Sequence, residues 1–600
     1  MQPKRRPQGT KAPKYVNINK LKDSFTKQSF ADTLEEQLDA PILDEEDVEV
    51  AWTTLHDIVY NTAMECLGPP ARKHKDWFDE NHTEIKDLLE KKRAADKERL
   101  HDPKSIAKKD ALRSIRSNIQ LKLRVMQDSW LNAKAGKIQG YADMNDMRNF
   151  YNSLKEVYGP SSLGSFPLLS TDGTTLITEK DKILERWAKR FDSVLNRPST
   201  INDEAIARLP QIPVNETLDA VPTLEEIQKA IRQLSSSKAP GSDSIPAELY
   251  KEGGSALTDK LLNLVQIIWA KDAVLQDFKD ALIIHIYKRK GNRQACDNHR
   301  GISLLAIAGK ILARVLLNRL NFHLEQGLLP ESQCGFRKNR GTIDMVFAAR
   351  QLQEKCQEQN VSLYSTYVDL TKAFDTVSRD GLWRIMAKYG CPSKFIIRQL
   401  HDGMLARVQD CRETSEPFPI TNGVKQGCVL APTLFSMMFS VMLSDAFTGS
   451  DAGIDIIPTA QSSTSGGSKQ KTKVKSINEL LFANDCALNA TTEADMQCSV
   501  DKFAEACNNF GLTISTKKTE VMHQPAPGRP YIEPNITING QRLNVVDKFT
   551  YLGSTLSRSV VMDDKMNARL AKASAAFGRL KTCGPGGVSP RKRRSKSTVP

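Results

Sequence analysis

Two short apolar segments that carry acidic residues constrain the fold of this 600-residue chain more than any other feature. One reads STYVDLTKAFD at 365–375, and the other reads LLFANDCAL at 480–488. Both have the length and composition of buried β-strands. Side chains alternate between the two faces of a strand, so Asp369 can lie beside a tight turn at Asn484-Asp485 if the two segments are neighbours in one sheet.

Carboxylates that converge from separate strands suit hard divalent cations, because Mg²⁺ prefers charged oxygen ligands. Two such ions about 3.5–4 Å apart are what nucleotidyl transfer requires, one to activate the attacking hydroxyl and one to neutralise the leaving group. An isolated Asp in a strand, or an isolated Asn-Asp pair, more often marks an edge or an ordinary turn. The metal-site interpretation therefore depends on the neighbouring motifs.

Several further blocks accompany the two segments in a fixed order. GVKQGCVLAPTLFS at 423–436 is a glycine-bracketed turn that leads into an apolar helix, which we predict to begin near Pro432. The other blocks are KAPGSDSIPAEL at 238–249, IYKRKG at 286–291, NHRGISLL at 298–305, QCGFRKNRGTIDMV at 333–346, FGLTISTKKTEVM at 510–522 and FTYLGSTLS at 549–557.

With these blocks in this order, residues 238–580 resemble the reverse transcriptases of non-LTR (LINE-type) retrotransposons, most closely those of the RTE-like group. The resemblance implies an α+β right-hand polymerase, with fingers, a palm built on an antiparallel sheet and a partial thumb, preceded by a helical N-terminal region. It implies RNA-directed DNA synthesis with two Mg²⁺ ions, or Mn²⁺ in their place. The implied partners are an RNA template, a DNA primer and deoxynucleoside triphosphates, and no protein partner is inferred.

The resemblance also implies roles for individual residues at the metal site. Asp369 matches the strand acid that binds both metals, and the backbone carbonyl of Leu370 assists it. Asp485 matches a second acid of the site. Lys518 matches the lysine proposed to protonate the leaving pyrophosphate.

Other matched positions surround the expected substrates. Phe374 corresponds to the aromatic residue that excludes a 2′-hydroxyl and so selects deoxynucleotides. The positions matched to nucleotide contacts are Lys288, Arg300, Gln426 and Gly427, and those matched to the primer or template are Arg337, Tyr551 and Gly553.

The chain departs from the family pattern at Asn484, where relatives usually have the first Asp of the hairpin. An Asn offers a neutral carbonyl oxygen and an NH₂ donor, so it brings no charge to a cation. Because Asn tolerates positive φ in tight turns, we expect the hairpin itself to persist. The sequence therefore predicts an intact fold with an impaired metal site.

Composition agrees with a polyanionic partner. The chain has 85 Lys and Arg against 71 Asp and Glu, for a formal charge of +14. No segment approaches the roughly 20 apolar residues of a membrane span, and the N-terminus lacks the apolar core of a secretory signal. Eleven cysteines without a C-x-x-C pair favour an intracellular, reducing environment over zinc knuckles or disulfides.

We predict the following organisation: a basic disordered tail at 1–30, a mostly helical region at 31–220, fingers at 224–350, a palm at 351–555 within a whole domain at about 275–555, the start of a thumb at 556–582 and a basic disordered tail at 583–600. The charged helical stretch at 77–131 is either a solvated arm or an RNA-binding element. The basic tail favours a nuclear location over the cytoplasm. The absence of a recognisable endonuclease and the short thumb suggest a truncated or degenerate copy of a mobile element.

Two alternatives to an RNA-directed DNA polymerase stay open. Asp369 and Asp375 bracket five residues much as two acids do in RNA-dependent RNA polymerases, although Phe374 favours DNA synthesis. The other alternative is a non-catalytic protein that retains its grip on RNA or DNA and has lost turnover through Asn484.

Overall fold

A computed structural model describes most of the chain. The described residues are 15–39, 47–69, 77, 81–102, 105–144, 146–158, 166–394, 397–411, 413–447, 454–456, 475–560, 566, 570, 571 and 574. Most of the predicted thumb and the whole of the predicted tail at 583–600 lie outside these residues. No helix among the described residues is both long enough and apolar enough to cross a bilayer.

The chain divides into two compact units, of which the first comprises residues 1–33 and 60–167. Its long helices are His82–His101, Ile106–Asp143 and Met147–Tyr158. Ser105 caps the second of these helices by accepting a hydrogen bond from the backbone N–H of Lys108. Lys134 ties it to the third through Glu156, at 2.8 Å. Helices Ser24–Leu38 and Val48–Cys66 are divided between the two units.

The prediction of a disordered tail at 1–30 is wrong for the residues from 15 onward. A 3₁₀ helix occupies Ile18–Lys22, and the next helix begins at Ser24. Buried apolar side chains explain the order, because Leu21 is only 8% exposed and Phe30 is fully buried. Composition alone concealed these anchors among polar and basic neighbours.

The second unit comprises residues 34–59 and 168–600 and contains both acid-bearing segments. Its remaining helices are Lys180–Leu195, Asp203–Ala207, Leu224–Arg232, Ala247–Glu252, Gly254–Lys271, Gln276–Lys279, Ile307–Leu324, Thr342–Glu358, Arg379–Lys388, Ala431–Phe447 and Glu493–Asn509, with 3₁₀ turns at Glu216–Asp219 and Cys296–Asn298. The helix predicted to begin near Pro432 begins at Ala431. Its residues from 431 to 443 are mostly apolar and, apart from Pro432, buried, as expected for a helix enclosed by the core.

Within the described ranges, the strands are β1 (Leu168–Leu169), β2 (Leu176–Ile177), β3 (Ala281–Tyr287), β4 (His299–Leu304), β5 (Leu363–Val368), β6 (Leu405–Asp410), β7 (Glu413–Thr414), β8 (Phe418–Pro419), β9 (Ile454–Ile456), β10 (Lys475–Ile477), β11 (Glu479–Phe482), β12 (Asp485–Ala490), β13 (Glu520–Gln524), β14 (Thr537–Ile538), β15 (Gln541–Arg542), β16 (Asn544–Val545), β17 (Lys548–Tyr551) and β18 (Ser554–Ser557). Helices and strands are thus mixed, and two five-stranded sheets carry most of the architecture.

The first sheet has the order β11-β12-β5-β13-β16 and contains both predicted acid-bearing strands. β5 is central, and β12 and β13 flank it in antiparallel pairing. The prediction of an antiparallel sheet is wrong for the outermost pair, because β16 runs parallel to β13. The chain turns back through the β14–β15 hairpin before reaching β16, and so returns in the direction of β13.

The second sheet joins β3 and β4 to the later strands β6, β7 and β8. β3 pairs with β4 in antiparallel fashion and with β6 in parallel. The predicted boundary between fingers and palm at residue 350 therefore does not separate the sheets, because strands from 405–419 complete the one that begins at 281. Trp187 of helix Lys180–Leu195 is buried in the core of this second sheet.

Candidate functional site

Strand register brings three of the predicted site residues together at one end of the first sheet. The register that pairs Cys486 with Val368 continues to place Asp485 across from Asp369. On the other side of β5, the register that pairs Glu520 with Tyr367 places Lys518 across from the same residue. The Lys518 ammonium lies 3.1 Å from Oδ2 of Asp369. Residues that are far apart in the sequence therefore meet, because β5, β12 and β13 each have a terminus at the same end of the sheet.

The backbone around Asp369 is fixed by the segment that precedes β13. The N–H of Ser515 donates to the carbonyl of Asp369 at 2.8 Å, and the N–H of Asp369 donates to Oγ1 of Thr519 at 3.3 Å. Leu370 has a buried side chain and forms a bridge with Ile514. The Asp369 carboxylate nevertheless stays 38% exposed. A rigid backbone thus presents an accessible acid.

The predicted hairpin is present, with Phe482 paired to Asp485 across a two-residue turn of Ala483 and Asn484. The residue that adopts positive φ is Ala483, at +58°, and Asn484 does not. Our expectation that the amide at 484 helps by tolerating positive φ is therefore wrong. A left-handed Ala costs roughly 1–2 kcal/mol, so the surroundings must stabilise this turn.

Residues 332–336, here called the QCGF segment, lie beside the hairpin and bond to it. In the block that they begin, the resemblance assigned a role only to Arg337. The N–H of Cys334 donates to the carbonyl of Leu481, and the N–H of Leu481 donates to the carbonyl of Ser332. The side chain of Gln333 is fully buried and bonds to both backbone polar groups of Ala483. This segment acts as an extra short strand along β11.

The residues at the strand ends fit a divalent cation in part. Desolvation raises the pKa of Asp485, and the nearby negative charge of Asp369 adds to the rise. Among the described residues, no group of three or more His, Cys, Asp or Glu side chains converges on one point. The set thus supplies two anionic ligands, while Asn484 can add only a neutral oxygen.

Two further positively charged side chains lie near Lys518, the lysine that pairs with Asp369. Lys288 follows β3 and Arg300 lies in β4, where it pairs with Ile286. Desolvation and the nearby charges of Lys518 and Arg300 lower the pKa of Lys288. The two expected triphosphate-binding residues therefore lie within electrostatic reach of the lysine beside Asp369.

Phe374 and the Gln426-Gly427 pair are both held rigidly. The Phe374 ring stacks on the buried ring of Phe435, with centroids 4.6 Å apart, and stays partly exposed. The carbonyl of Gln426 accepts from the N–H of Ser303 at 2.8 Å. Gly427 has φ of +114°, and a Cβ there would overlap the Ser303 carbonyl. Only glycine allows this loop to approach β4 so closely.

Arg337 and Tyr551 have structural contacts that the resemblance did not predict. The Arg337 guanidinium donates to the carbonyl of Pro330 at 2.9 Å and is only 14% exposed. Tyr551 is 2% exposed, and its hydroxyl donates to the carbonyl of Leu480 at 3.3 Å. Both side chains are therefore largely buried and are held by bonds within the protein. Gly553, at the tip of the β17–β18 hairpin, is exposed.

Sequence reasoning missed several residues near the site. Arg190 pairs with Asp297 and, with Lys372 and Arg300, opposes the burial that raises the pKa of Asp375 to about 6. Lys372 was visible within the TKAFD block, whereas Arg190 lies outside every recognised motif. No pattern in helix Lys180–Leu195 distinguishes Arg190 from the other surface cations there.

Comparison with known proteins supports the resemblance to reverse transcriptases of non-LTR retrotransposons. Residues 286–556 match the family model described as reverse transcriptase (RNA-dependent DNA polymerase). The chain is 28% identical over 347 residues to an RNA-directed DNA polymerase from the mobile element jockey of Drosophila melanogaster, covering 56% of this chain and 35% of that protein. It is 29% identical over 382 residues to the corresponding polymerase of Drosophila funebris, covering 62% of this chain and 39% of the relative.

The chain thus spans less than half the length of these curated relatives. Among solved structures, an apo telomerase from Candida tropicalis truncated from its C-terminal domain matches 48% of this chain and 54% of that one, with 14% identity and a TM-score of 0.32.

Proposed function

We propose that this chain, whose residues 286–556 form a reverse transcriptase domain of the non-LTR retrotransposon type, descends from an RNA-directed DNA polymerase and has an impaired metal site. The observation that carries the proposal is the strand register that brings Asp369, Asp485 and Lys518 to one sheet edge, with Asn484 in the adjoining turn. The same register is what a polymerase palm needs, and a neutral residue stands where charge is required.

The finer architecture belongs to the same proposal. The first five-stranded sheet serves as the palm, and the β3–β4 hairpin with its cations serves as the fingers. Residues after Ser557 begin the thumb. The partners are an RNA template, a DNA primer and deoxynucleoside triphosphates, and the basic terminal segments favour a nuclear location.

Asp369 and Asp485 would hold the divalent cations, Mg²⁺ or Mn²⁺, with the Leu370 carbonyl as a further ligand. When bound, the ions lower the pKa of the primer hydroxyl and neutralise the triphosphate. Side chains of the protein would bind the triphosphate, transfer a proton and select the sugar. Lys288 and Arg300 would orient the triphosphate, and Lys518 would give a proton to the leaving pyrophosphate. The stacked Phe374 ring is rigid enough to exclude a 2′-hydroxyl.

Asn484 weakens this site for an electrostatic reason. A Mg²⁺ ion gains most from anionic oxygens, and the carboxamide supplies no charge. The hairpin is nevertheless formed, so the substitution spares the fold and affects the metals. We expect the unmodified chain to extend primers slowly or not at all.

The test is primer extension on poly(rA)/oligo(dT) by the full chain and its Asn484→Asp variant. We expect the variant to be at least about 100-fold faster, or about 2.7 kcal/mol of activation free energy. Asn539→Asp is the matched control, because it makes the same substitution and adds the same charge in the exposed turn of the β14–β15 hairpin. Equal and robust extension by the unmodified chain would contradict the impairment.

A non-catalytic RNA- or DNA-binding role is the second candidate, favoured by Asn484 and by the clustered cations Arg190, Lys288, Arg300, Lys372 and Lys518. Binding of a labelled RNA/DNA hybrid at several salt concentrations distinguishes the two functions. Each neutralised phosphate contributes about 0.7–0.9 to the log–log slope. Steep, salt-dependent binding without extension by either protein identifies the non-catalytic role.

A further inference from the structure

The turn that carries the site residues 484 and 485 contains a strained residue. Ala483 has φ of +58° and is 6% exposed. A non-glycine residue in this conformation persists only where its surroundings determine it. Alanine itself does not favour this left-handed conformation, because glycine or asparagine is the usual residue at such a position in a turn.

Gln333 satisfies both backbone polar groups of this residue. Its Oε1 accepts from the N–H of Ala483 at 3.0 Å, and its Nε2 donates to the carbonyl of Ala483 at 3.2 Å. Oε1 also accepts from the N–H of Gly335 at 2.8 Å. Gln333 is 0% exposed, so these bonds are made without competing water.

The bonds from the Gln333 side chain to Ala483 are called the Gln333 clamp below. The backbone on either side of Gln333 is also bonded to the hairpin, which prevents the clamp from moving independently of it. Ser332 and Cys334 bond to Leu481 through their main chains. Ser332 Oγ also donates to the Glu479 carboxylate at 3.0 Å. A Cβ at Gly335 would overlap the backbone N of Ala483, so the segment lies in direct contact with the turn.

We propose that Gln333 is a positioning residue that holds Ala483 in its left-handed conformation and thereby sets where residues 484 and 485 point. The inference rests on the proposed function for its consequence in catalysis. The clamp itself is a property of the folded protein and is measurable in a chain that does not turn over. The side-chain hydrogen bonds of Gln333 go to Ala483 and Gly335 and not to the two acids, so its effect passes through Ala483.

The experiment is site-resolved hydrogen exchange on the full chain and its Gln333→Met variant, which keeps side-chain length and removes the hydrogen bonds. We expect the amides of Ala483 and Gly335 to exchange at least about tenfold faster, while those of Val368 and Cys486 in the β5–β12 ladder stay protected. The matched control is Gln353→Met. Gln353 is also buried, at 1% exposure, but bonds to the carbonyl of Ser557.

A second variant, Gln333→Glu, guards against misfolding of the first. Glu keeps an acceptor for the two N–H groups and loses the donor to the Ala483 carbonyl, so exchange at Ala483 should fall between the parent and Gln333→Met. Unchanged exchange in both variants, or equal acceleration by Gln353→Met, would overturn the proposal. In the Asn484→Asp background, Gln333→Met should lower kcat more than it changes KM for the nucleotide. If no variant extends primers, the exchange data still decide the clamp separately from the proposed polymerase.

Discussion

Two hairpins of the second unit contain residues with positive φ in their turns, and the two turns are stabilised in different ways. Each has a two-residue turn, with Phe482 paired to Asp485 in one and Tyr551 paired to Ser554 in the other. The first turn places positive φ on the buried Ala483. The second places it on Leu552 and on Gly553, and a Cβ at Gly553 would meet no atom within 4 Å.

The difference shows where each conformation is encoded. The β17–β18 turn contains a glycine suited to it and is open to solvent, so its shape is largely local. The β11–β12 turn lacks such a residue and is determined by the QCGF segment, about 150 positions earlier. A site whose geometry comes from elsewhere in the chain is more sensitive to distant substitutions than its own sequence suggests.

The largest expected effect separates the two hairpins by steric contact. We expect Gly335→Ala to destabilise the protein by about 3 kcal/mol, because the new methyl group overlaps the backbone of Ala483. Gly553→Ala should cost only about 1 kcal/mol, the strain of a left-handed Ala in open space. Urea unfolding of both variants measures the two free energies. Similar losses would show that the QCGF segment yields easily and does not determine the turn.

The second expected effect is on the pH dependence of stability, which should differ between the hairpins because Asp485 lies beside Asp369. Its raised pKa means that the folded state disfavours the ionised form, so its contribution to stability falls as pH rises above the ordinary carboxyl value through the raised one. Without divalent cations at neutral pH, Asp485→Asn should therefore stabilise the protein, by about 1 kcal/mol or less since the group is exposed and screened. The gain should vanish below the ordinary carboxyl pKa.

Thermal unfolding with EDTA and with added Mg²⁺ tests this charge effect. Mg²⁺ should stabilise the unmodified chain and have little effect on Asp485→Asn. Asp547→Asn is the control from the base of the other hairpin, where Asp547 pairs with Arg558 at 3.1 Å. It should give no gain in EDTA. Stabilisation of equal size in the control would refute an origin in the paired site acids.

The sequence predicted the parts of the site that local patterns encode. Asp369 and Asp485 follow from apolar strands with acids at their ends, and the register confirms that they meet. The clamp by Gln333 was not predictable, because a buried glutamine looks like any polar residue until its partner is known. Arg190 was missed for the same reason. Tyr551 is the opposite case, because it matches a family motif and yet its side chain is buried in the core.

The smallest expected effect is a change of hybrid affinity in variants of the second hairpin, and it tests whether the tip of this hairpin or Tyr551 contacts the primer. Tyr551→Phe removes only the bond to the Leu480 carbonyl, so it should cost about 1 kcal/mol of stability and leave affinity for an RNA/DNA hybrid within about twofold. Gly553→Asp places a negative charge at the exposed tip and should weaken that affinity further than Gly553→Asn, which has the same backbone preference without charge. Fluorescence titrations at low salt compare the three variants. Loss of affinity in Tyr551→Phe alone would mean that the ring leaves the core to reach the primer, whereas a difference between Asp and Asn at 553 places the contact at the turn.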